Sequence, residues 1–99
     1  MIILCTLKSE RKRILTYALV NSETSGYTFI DDDFAEKHKI KLILKKQPQI
    51  LEVFDGHKAE SDHITHLVQA DMTVQNHFKE DTCFLVMQLA HYSVVLRIL

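Results

Sequence analysis

The stretch Ala18-Leu19-Val20-Asn21-Ser22-Glu23-Thr24-Ser25-Gly26 decides how this chain is interpreted. Its first three residues are apolar and end a strand-like segment that begins at Ile14, with alternate residues on one face. The six residues that follow are polar or small and indicate a turn. Phe29-Ile30 then leads into the start of a helix. The stretch therefore predicts a strand, a polar turn and a second apolar segment in succession.

The length and composition predict one small globular domain over residues 1–99. The chain is 46% hydrophobic and 25% charged, a balance that argues against disorder. Its 12 basic and 13 acidic residues give a net charge of −1, so no overall field favours nucleic acid or an acidic membrane as a partner. No apolar run approaches the roughly 20 residues that a membrane-spanning helix needs.

Two features of the sequence bear on the cellular compartment. Residues 1–7 have no basic segment before them and are too short for a signal peptide, so they are better interpreted as a first strand. Cys5 and Cys83 are isolated, without Cys-x-x-Cys spacing. We therefore expect an intracellular, cytoplasmic protein with buried free thiols, and a disulfide stays open as the alternative.

The N-terminal third predicts a hairpin. Residues 2–7 and 14–20 are its two apolar strands, and the polar residues 8–13 connect them. The basic residues at the tip, Arg11, Lys12 and Arg13, have two interpretations, a nucleic-acid patch or three solvated charges on a turn. The second is favoured because charged turns are common on protein surfaces.

A short helix is predicted over residues 31–39. Asp31 or Asp32 can cap it by accepting hydrogen bonds from free backbone N–H groups, and lysines follow at its other end. Three consecutive aspartates also suggest a site for a hard cation, but the sequence offers no further oxygen ligands at loop spacing, so capping is favoured. The predicted apolar stripe consists of Ile30, Phe34 and His38.

The rest of the chain predicts further strands. The Asp55-Gly56 pair is the strongest hairpin signal, since it supplies the positive φ angles of a tight turn. Pro48 ends one apolar segment, and Asn76-His77 predicts another turn. The predicted strands are residues 40–44, the alternating residues 64–74 and the fully buried residues 82–89. The predicted core consists of Ala18, Val20, Ile30, Phe34, Ile64, Val68, Val86, Val94 and Leu96.

The six histidines do not predict a metal site. His63 and His66 have the spacing of two ligands on a helix, but residues three apart on a strand point to opposite faces. Zinc also requires four convergent ligands, or three and a water molecule. We therefore expect no metal and no cofactor.

These features together resemble the retropepsin-like aspartic proteases of gypsy-type retrotransposon polyproteins. In that family a strand of the Ala-Leu-Val type is followed by Asp-Ser-Gly-Ala-Thr-Gly. Ser22 and Gly26 match this motif. Asn21 stands at the catalytic aspartate, and Glu23 stands where glycine is expected. The resemblance extends from about Leu15 to the C-terminus, through residues 29–31, 52–56 and 92–96.

The resemblance implies a mainly β fold, a small closed retropepsin-like barrel with one short helix. It implies a homodimer, because each chain supplies half a site, with an extended peptide or polyprotein segment in the cleft. Arg97 replaces a glycine of the family, and the chain ends where the family continues into a C-terminal helix, which we expect to be missing. The implied catalytic positions are Asn21, Ser22, Glu23 and Thr24, and the implied substrate-binding flap is Val53, Phe54, Asp55 and Gly56.

Asn21 leads us to expect an inactive domain. Aspartic proteases use two carboxylates that share one proton, and an asparagine amide cannot take up or release that proton. Two alternatives stay open. The first is an active endopeptidase, in which Asn21 is an engineered trap or is deamidated to aspartate. The second is a non-catalytic module that binds peptides or dimerises.

Overall fold

The computed structural model describes residues 1–20, 28–54, 59–89 and 91–96, and of residues 51–54 and 59–62 it describes the backbone alone. The strands are β1 (Ile2–Ser9), β2 (Lys12–Val20), β3 (Phe29–Asp31), β4 (Ile43–Phe54), β5 (Ala59–Val74), β6 (His77–Met87) and β7 (Val94–Leu96), and the helix is α1 (Asp32–Lys37). No helix in these ranges is long and apolar enough to cross a membrane.

The strands form a closed barrel with one extra strand. Their order is β1-β2-β7-β3-β6-β5-β4, and β1 also pairs with β5, which closes a ring of six strands and leaves β4 outside on β5. Two of the pairings, β2 with β7 and β3 with β6, are parallel, and the others are antiparallel. The predicted fold, a small closed β-barrel with one short helix, is confirmed.

The N-terminal hairpin is confirmed, but its connection is shorter than predicted. β1 and β2 stay paired as far as Ser9 and Lys12, so only Glu10 and Arg11 form the turn. Glu10 has a φ of 55°, the left-handed conformation that tight hairpin turns use. Polar residues were expected to end the strands, but strand pairing in the barrel continues through them.

Most of the predicted core is fully buried. Ala18, Ile30, Ile64, Val68, Val94 and Leu96 are buried, and Val20, Phe34 and Val86 are partly buried and pack against the core. The side chains along β5 alternate between buried and exposed as the sequence predicts. Phe84 of β6 is the largest fully buried side chain and lies in the same cluster. The period of two was thus a sound guide to the inward face.

The predicted strand at residues 40–44 is wrong in its bounds. β4 begins at Ile43 and continues past Pro48, while Ile40 is buried just after α1, where its backbone N donates to the Ala35 carbonyl oxygen (2.9 Å). The pairing of β4 with β5 shifts between Leu44 and Gln49, so residues 45–48 lie opposite one residue of β5. A bulge of this kind accommodates a proline, which has no N–H to donate.

β6 differs from the prediction in length and in burial. It begins at His77, because the turn lies at Gln75 and Asn76, and its first five residues are exposed. Cys83 is also exposed, which corrects the expectation of a buried thiol, because its neighbours in the strand, Thr82 and Phe84, point inward.

The other cysteine behaves as expected. Cys5 is fully buried in β1, and both cysteines are free. Burial raises the pKa of the Cys5 thiol to about 11, because the thiolate loses its hydration in the core. The thiol therefore stays protonated and unreactive in the folded protein at neutral pH.

Two phenylalanines of β6 provide a matched test of the core. Phe84→Ala should lower the free energy of unfolding by about 3–5 kcal/mol, because it leaves a cavity in the barrel. Phe78→Ala, on the same strand but exposed, should change it by less than about 0.5 kcal/mol. Urea denaturation followed by circular dichroism measures both. Equal losses in the two variants would contradict the strand orientation described here.

Candidate active site

The predicted catalytic turn is attached to the barrel at both of its ends. Val20 at the end of β2 pairs in parallel with Leu96 at the end of β7, and its backbone N donates to the Met1 carbonyl oxygen (2.8 Å). On the other side, the backbone N of Leu85 donates to the Thr28 carbonyl oxygen (2.8 Å) just before β3. The sheet therefore holds the chain immediately before and after residues 21–27.

The predicted catalytic positions themselves lie outside the described residues. This applies to Asn21, Ser22, Glu23 and Thr24, and also to Arg97. Their catalytic or structural roles therefore stay predictions.

An apolar row crosses the sheet next to this attachment. Leu19 of β2 pairs with Val95 of β7, and Val95 also pairs with Phe29 of β3. Phe29 in turn pairs with Leu85 of β6. Phe29, Leu85 and Val95 are buried in a second, smaller cluster with Ile64, and Leu19 is partly buried against them. The strands that flank residues 21–27 thus contribute to a buried apolar layer.

The predicted flap lies on a hairpin that the structure shows in part. β4 and β5 pair antiparallel as far as Phe54 and Ala59, so the hairpin predicted around residues 51–57 is confirmed. Val53 and Phe54 belong to β4, where the structure describes their backbone, while Asp55 and Gly56 lie outside the described residues. Whether this hairpin covers a substrate stays a prediction.

Asp31 joins three parts of the fold. One carboxylate oxygen, Oδ2, accepts from the backbone N of Phe34 (3.1 Å), and this confirms that Asp31 caps α1. The other, Oδ1, accepts from the backbone N of Leu89, just after β6 (2.8 Å). The Asp31 backbone N donates to the Ser93 carbonyl oxygen, just before β7 (2.8 Å). The cap was predictable from sequence, but the contact with a residue 58 positions away was not.

The three aspartates remain close together as a consequence of this cap. One carboxylate oxygen from each of Asp31, Asp32 and Asp33 lies within 4.8 Å of the other two, and the last two residues are exposed. Both oxygens of Asp31 already accept from backbone N–H groups, and Asp32 Oδ1 accepts from the backbone N of Asp33 (2.7 Å). The hydrogen bonds therefore support capping as the role of this cluster.

The basic hairpin tip contacts the end of α1. Lys12 Nζ donates to the carbonyl oxygens of His38 (3.2 Å) and Lys39 (3.1 Å), which close the C-terminal end of the helix. A cation is favourable there because the free carbonyl groups carry the negative end of the helix dipole. The predicted lysine at this end is confirmed, since Lys37 lies in the last turn of α1. The sequence did not predict the additional contact from Lys12, 26 positions before His38.

A groove of about 650 Å³ separates α1 from β5 and β6. Its lining includes acidic residues of α1 and histidines of β5. Residues that line it include Asp32, Glu36, Ile40, His63, His66 and Met87. His66 Nδ1 lies 2.8 Å from Thr65 Oγ1. Among the described residues, only the three aspartates of the α1 cap bring three possible ligand atoms close enough together for a metal. The acidic residues and histidines that line the groove therefore form no such group with one another.

The family model described as PEG10/RTL1 protease domain matches residues 17–99, a range that includes residues 21–27, the β4–β5 hairpin and β7. No curated protein sequence matches the chain.

The Asp31 contacts predict a specific loss of stability. Asp31→Ala should cost about 2–3 kcal/mol, because it removes the helix cap and leaves the Leu89 N–H without its acceptor. Asp31→Asn keeps one acceptor oxygen and should cost less, and Asp33→Ala, at an exposed carboxylate of the same helix turn, should cost less than about 1 kcal/mol. Chemical denaturation measures all three. An Asp33→Ala variant as unstable as Asp31→Ala would show that general charge at the helix start, and not these hydrogen bonds, is responsible.

Proposed function

Because the chain belongs to the PEG10/RTL1 protease domain family, which is retropepsin-like and derived from gypsy-type elements, we propose that it is a polyprotein-processing protease domain that has lost its catalytic chemistry. The observation that carries this proposal is Asn21, the residue that directly follows β2. The motif resemblance assigns this position to the family's catalytic aspartate. The family match and the barrel support the fold, and the substitution supports the loss of activity.

The chemistry explains why one substitution is sufficient. In an aspartic protease one carboxylate accepts a proton from water while the other donates a proton to the scissile carbonyl. Asparagine has nearly the shape of aspartate, so it can occupy the same turn, but its amide cannot exchange the proton. General acid–base catalysis is typically worth about 10²–10⁴ in rate. In a symmetric dimer with Asn21 on both sides, both roles are lost.

Two further substitutions support the same conclusion. By the resemblance, Glu23 and Arg97 both replace family glycines. The absence of a Cβ at a glycine permits close approach of the backbone. Val20 and Leu96, the described residues that precede Asn21 and Arg97 in the chain, are partners in a parallel pair, so β2 and β7 end side by side. An ion pair between Glu23 and Arg97 would account for both replacements. Such a pair would take the place of the glycine packing on which a working site depends.

The domain is proposed to act as a homodimer that binds an extended peptide. A retropepsin-like chain carries half a cleft, so the site is complete only when two copies meet. The retained β4–β5 hairpin, paired as far as Phe54 and Ala59, supports a peptide-binding role without catalysis. An active form would require aspartate at position 21, which deamidation of the Asn21-Ser22 pair can produce.

The unmodified protein should not cleave peptides between acid and neutral pH. Asn21→Asp alone should restore little, because Glu23 adds a like charge beside the new carboxylates. The triple change Asn21→Asp, Glu23→Gly, Arg97→Gly should come nearest to a working site, with an acidic optimum that reflects the shared proton. Digestion of a pool of apolar peptides, read by mass spectrometry, measures the activity. Its controls are a transition-state inhibitor of aspartic proteases and the intact mass, which reveals deamidation.

Cleavage by the unmodified, non-deamidated chain that the inhibitor blocks would overturn the proposal. Glu23 would then be the nearest carboxylate that could act on water.

The homodimer is tested by peptide binding rather than by mass alone. If the cleft forms between two copies, titration with extended apolar peptides should saturate at one peptide per two chains. A stoichiometry of one peptide per chain would contradict a shared cleft. No binding at any concentration would remove support for the peptide-binding role. Isothermal titration calorimetry gives the ratio directly.

A further inference from the structure

The outer face of the β1–β2 hairpin exposes four large apolar side chains. The exposed fractions are 57% for Ile2, 49% for Leu4, 63% for Leu15 and 64% for Tyr17. Two strands thus carry four of the large apolar residues that the described part of the chain exposes. We call these four residues the hairpin face.

The strand register makes the hairpin face continuous. Leu4 and Tyr17 are direct cross-strand partners, Ile2 pairs with the partly buried Leu19, and Leu15 pairs with Thr6. Side chains at directly paired positions lie about 5 Å apart, so these residues touch or nearly touch their neighbours across the hairpin. The opposite side of the same strands, with Cys5 and Leu7, lies in the barrel core.

Strands that are apolar on both sides are typical of sheets covered on both sides. The hairpin of an isolated barrel needs only its inner side to be apolar, and polar residues on the outer side would be compatible with the fold. The outer side does become charged, but only at the turn, where Lys8 pairs with Arg13. The apolar part is therefore bounded, which is expected of a contact surface and not of a random excess of apolar residues.

The area of the hairpin face decides what it can bind. Four side chains of this size, half to two-thirds exposed, present roughly 500 Å², at the upper end of the largest patch on ordinary monomers. Two such faces against each other bury roughly 1,000 Å², the lower limit for a specific protein–protein interface. A second copy of the same surface therefore suffices for a weak, specific association.

We propose that two copies of this chain pack hairpin face against hairpin face. The two-fold axis lies between the sheets and perpendicular to the strands, so β1 and β2 of one copy run antiparallel to those of the other. The sheets then pack about 10 Å apart, with Leu4 and Tyr17 of both copies at the centre.

Charge selects this orientation. With the axis at Leu4 and Tyr17, Lys8 and Arg13 of one copy lie roughly 25 Å from those of the other, beyond the Debye length at physiological salt. A two-fold axis parallel to the strands would place the four basic groups against one another. In each copy, Asp71 of β5 lies opposite Lys8 in the strand register. Its negative charge offsets one of the two basic charges of that copy, and the other positive charge remains.

This contact is independent of the proposed cleft. It uses β1 and β2, whose outer face is described in full, and it needs neither the turn at residues 21–27 nor a peptide. The proposal therefore stands whether or not the domain is an inactive protease.

The first test compares two exposed aromatic residues. Tyr17→Lys should weaken self-association about tenfold or more, because it places a charge at the centre of the contact. Phe78→Lys is the matched control, since Phe78 is 62% exposed on β6, outside the hairpin face, and it should leave self-association unchanged. Sedimentation velocity from low to high micromolar concentration measures both, and circular dichroism verifies that both variants are folded.

A second test does not depend on a charge in the interface. In a Cys83→Ser background, a bismaleimide cross-linker that spans about 10 Å should link Tyr17→Cys into a covalent dimer several-fold faster than Phe78→Cys, because the two-fold axis places the Tyr17 positions of two copies opposite each other across the contact. Equal rates for the two variants would overturn the proposal.

Unmodified protein that stays monomeric at every concentration would also overturn the proposal. Self-association that Tyr17→Lys leaves unchanged would also overturn it and would assign the contact to a different surface.

Discussion

The insertion of β7 between β2 and β3 is the constraint on which the rest of the structure depends. β7 is three residues long, yet it pairs in parallel with β2 on one side and antiparallel with β3 on the other. The bond from the Asp31 backbone N to the Ser93 carbonyl oxygen continues the pairing beyond the strand. Without β7, β2 and β3 would have no common neighbour, and the closed ring would become an open sheet with β2 and β3 at its edges.

The sequence predicts what depends on local spacing. The alternation along β5 gives the inward-facing residues, because successive side chains of any strand point to opposite faces. The Asp31 cap is likewise local, since the donor at Phe34 is three residues away. Contacts between distant segments were missed: the pairing of β1 with β5 that closes the barrel, and the lysine of the hairpin tip that closes the far end of α1. No pattern within a short window encodes these partners.

The errors at β4 and β6 have a related cause. Pro48 predicts the end of a strand when the strand is considered alone, but an outer strand with one partner can bulge around it and continue. Cys83 was expected inside because free cysteines are usually buried, but the phase set by Phe84 outweighs that preference. The candidate site was found through the motif around Asn21 rather than through any physical pattern, because a polar turn between two apolar segments is common in many folds.

Closure of the barrel also determines how a second copy can bind. An open sheet offers unpaired backbone groups at its edges, and a closed ring of six strands removes most of them. The outer strand β4 keeps a free edge, but the bulge at residues 45–48, with two lysines and a proline, interrupts the regular spacing that strand addition requires. Association through backbone pairing is therefore disfavoured along the middle of β4. A contact between side chains on a flat, bounded apolar surface does not meet this obstacle, and the outer face of the β1–β2 hairpin provides such a surface.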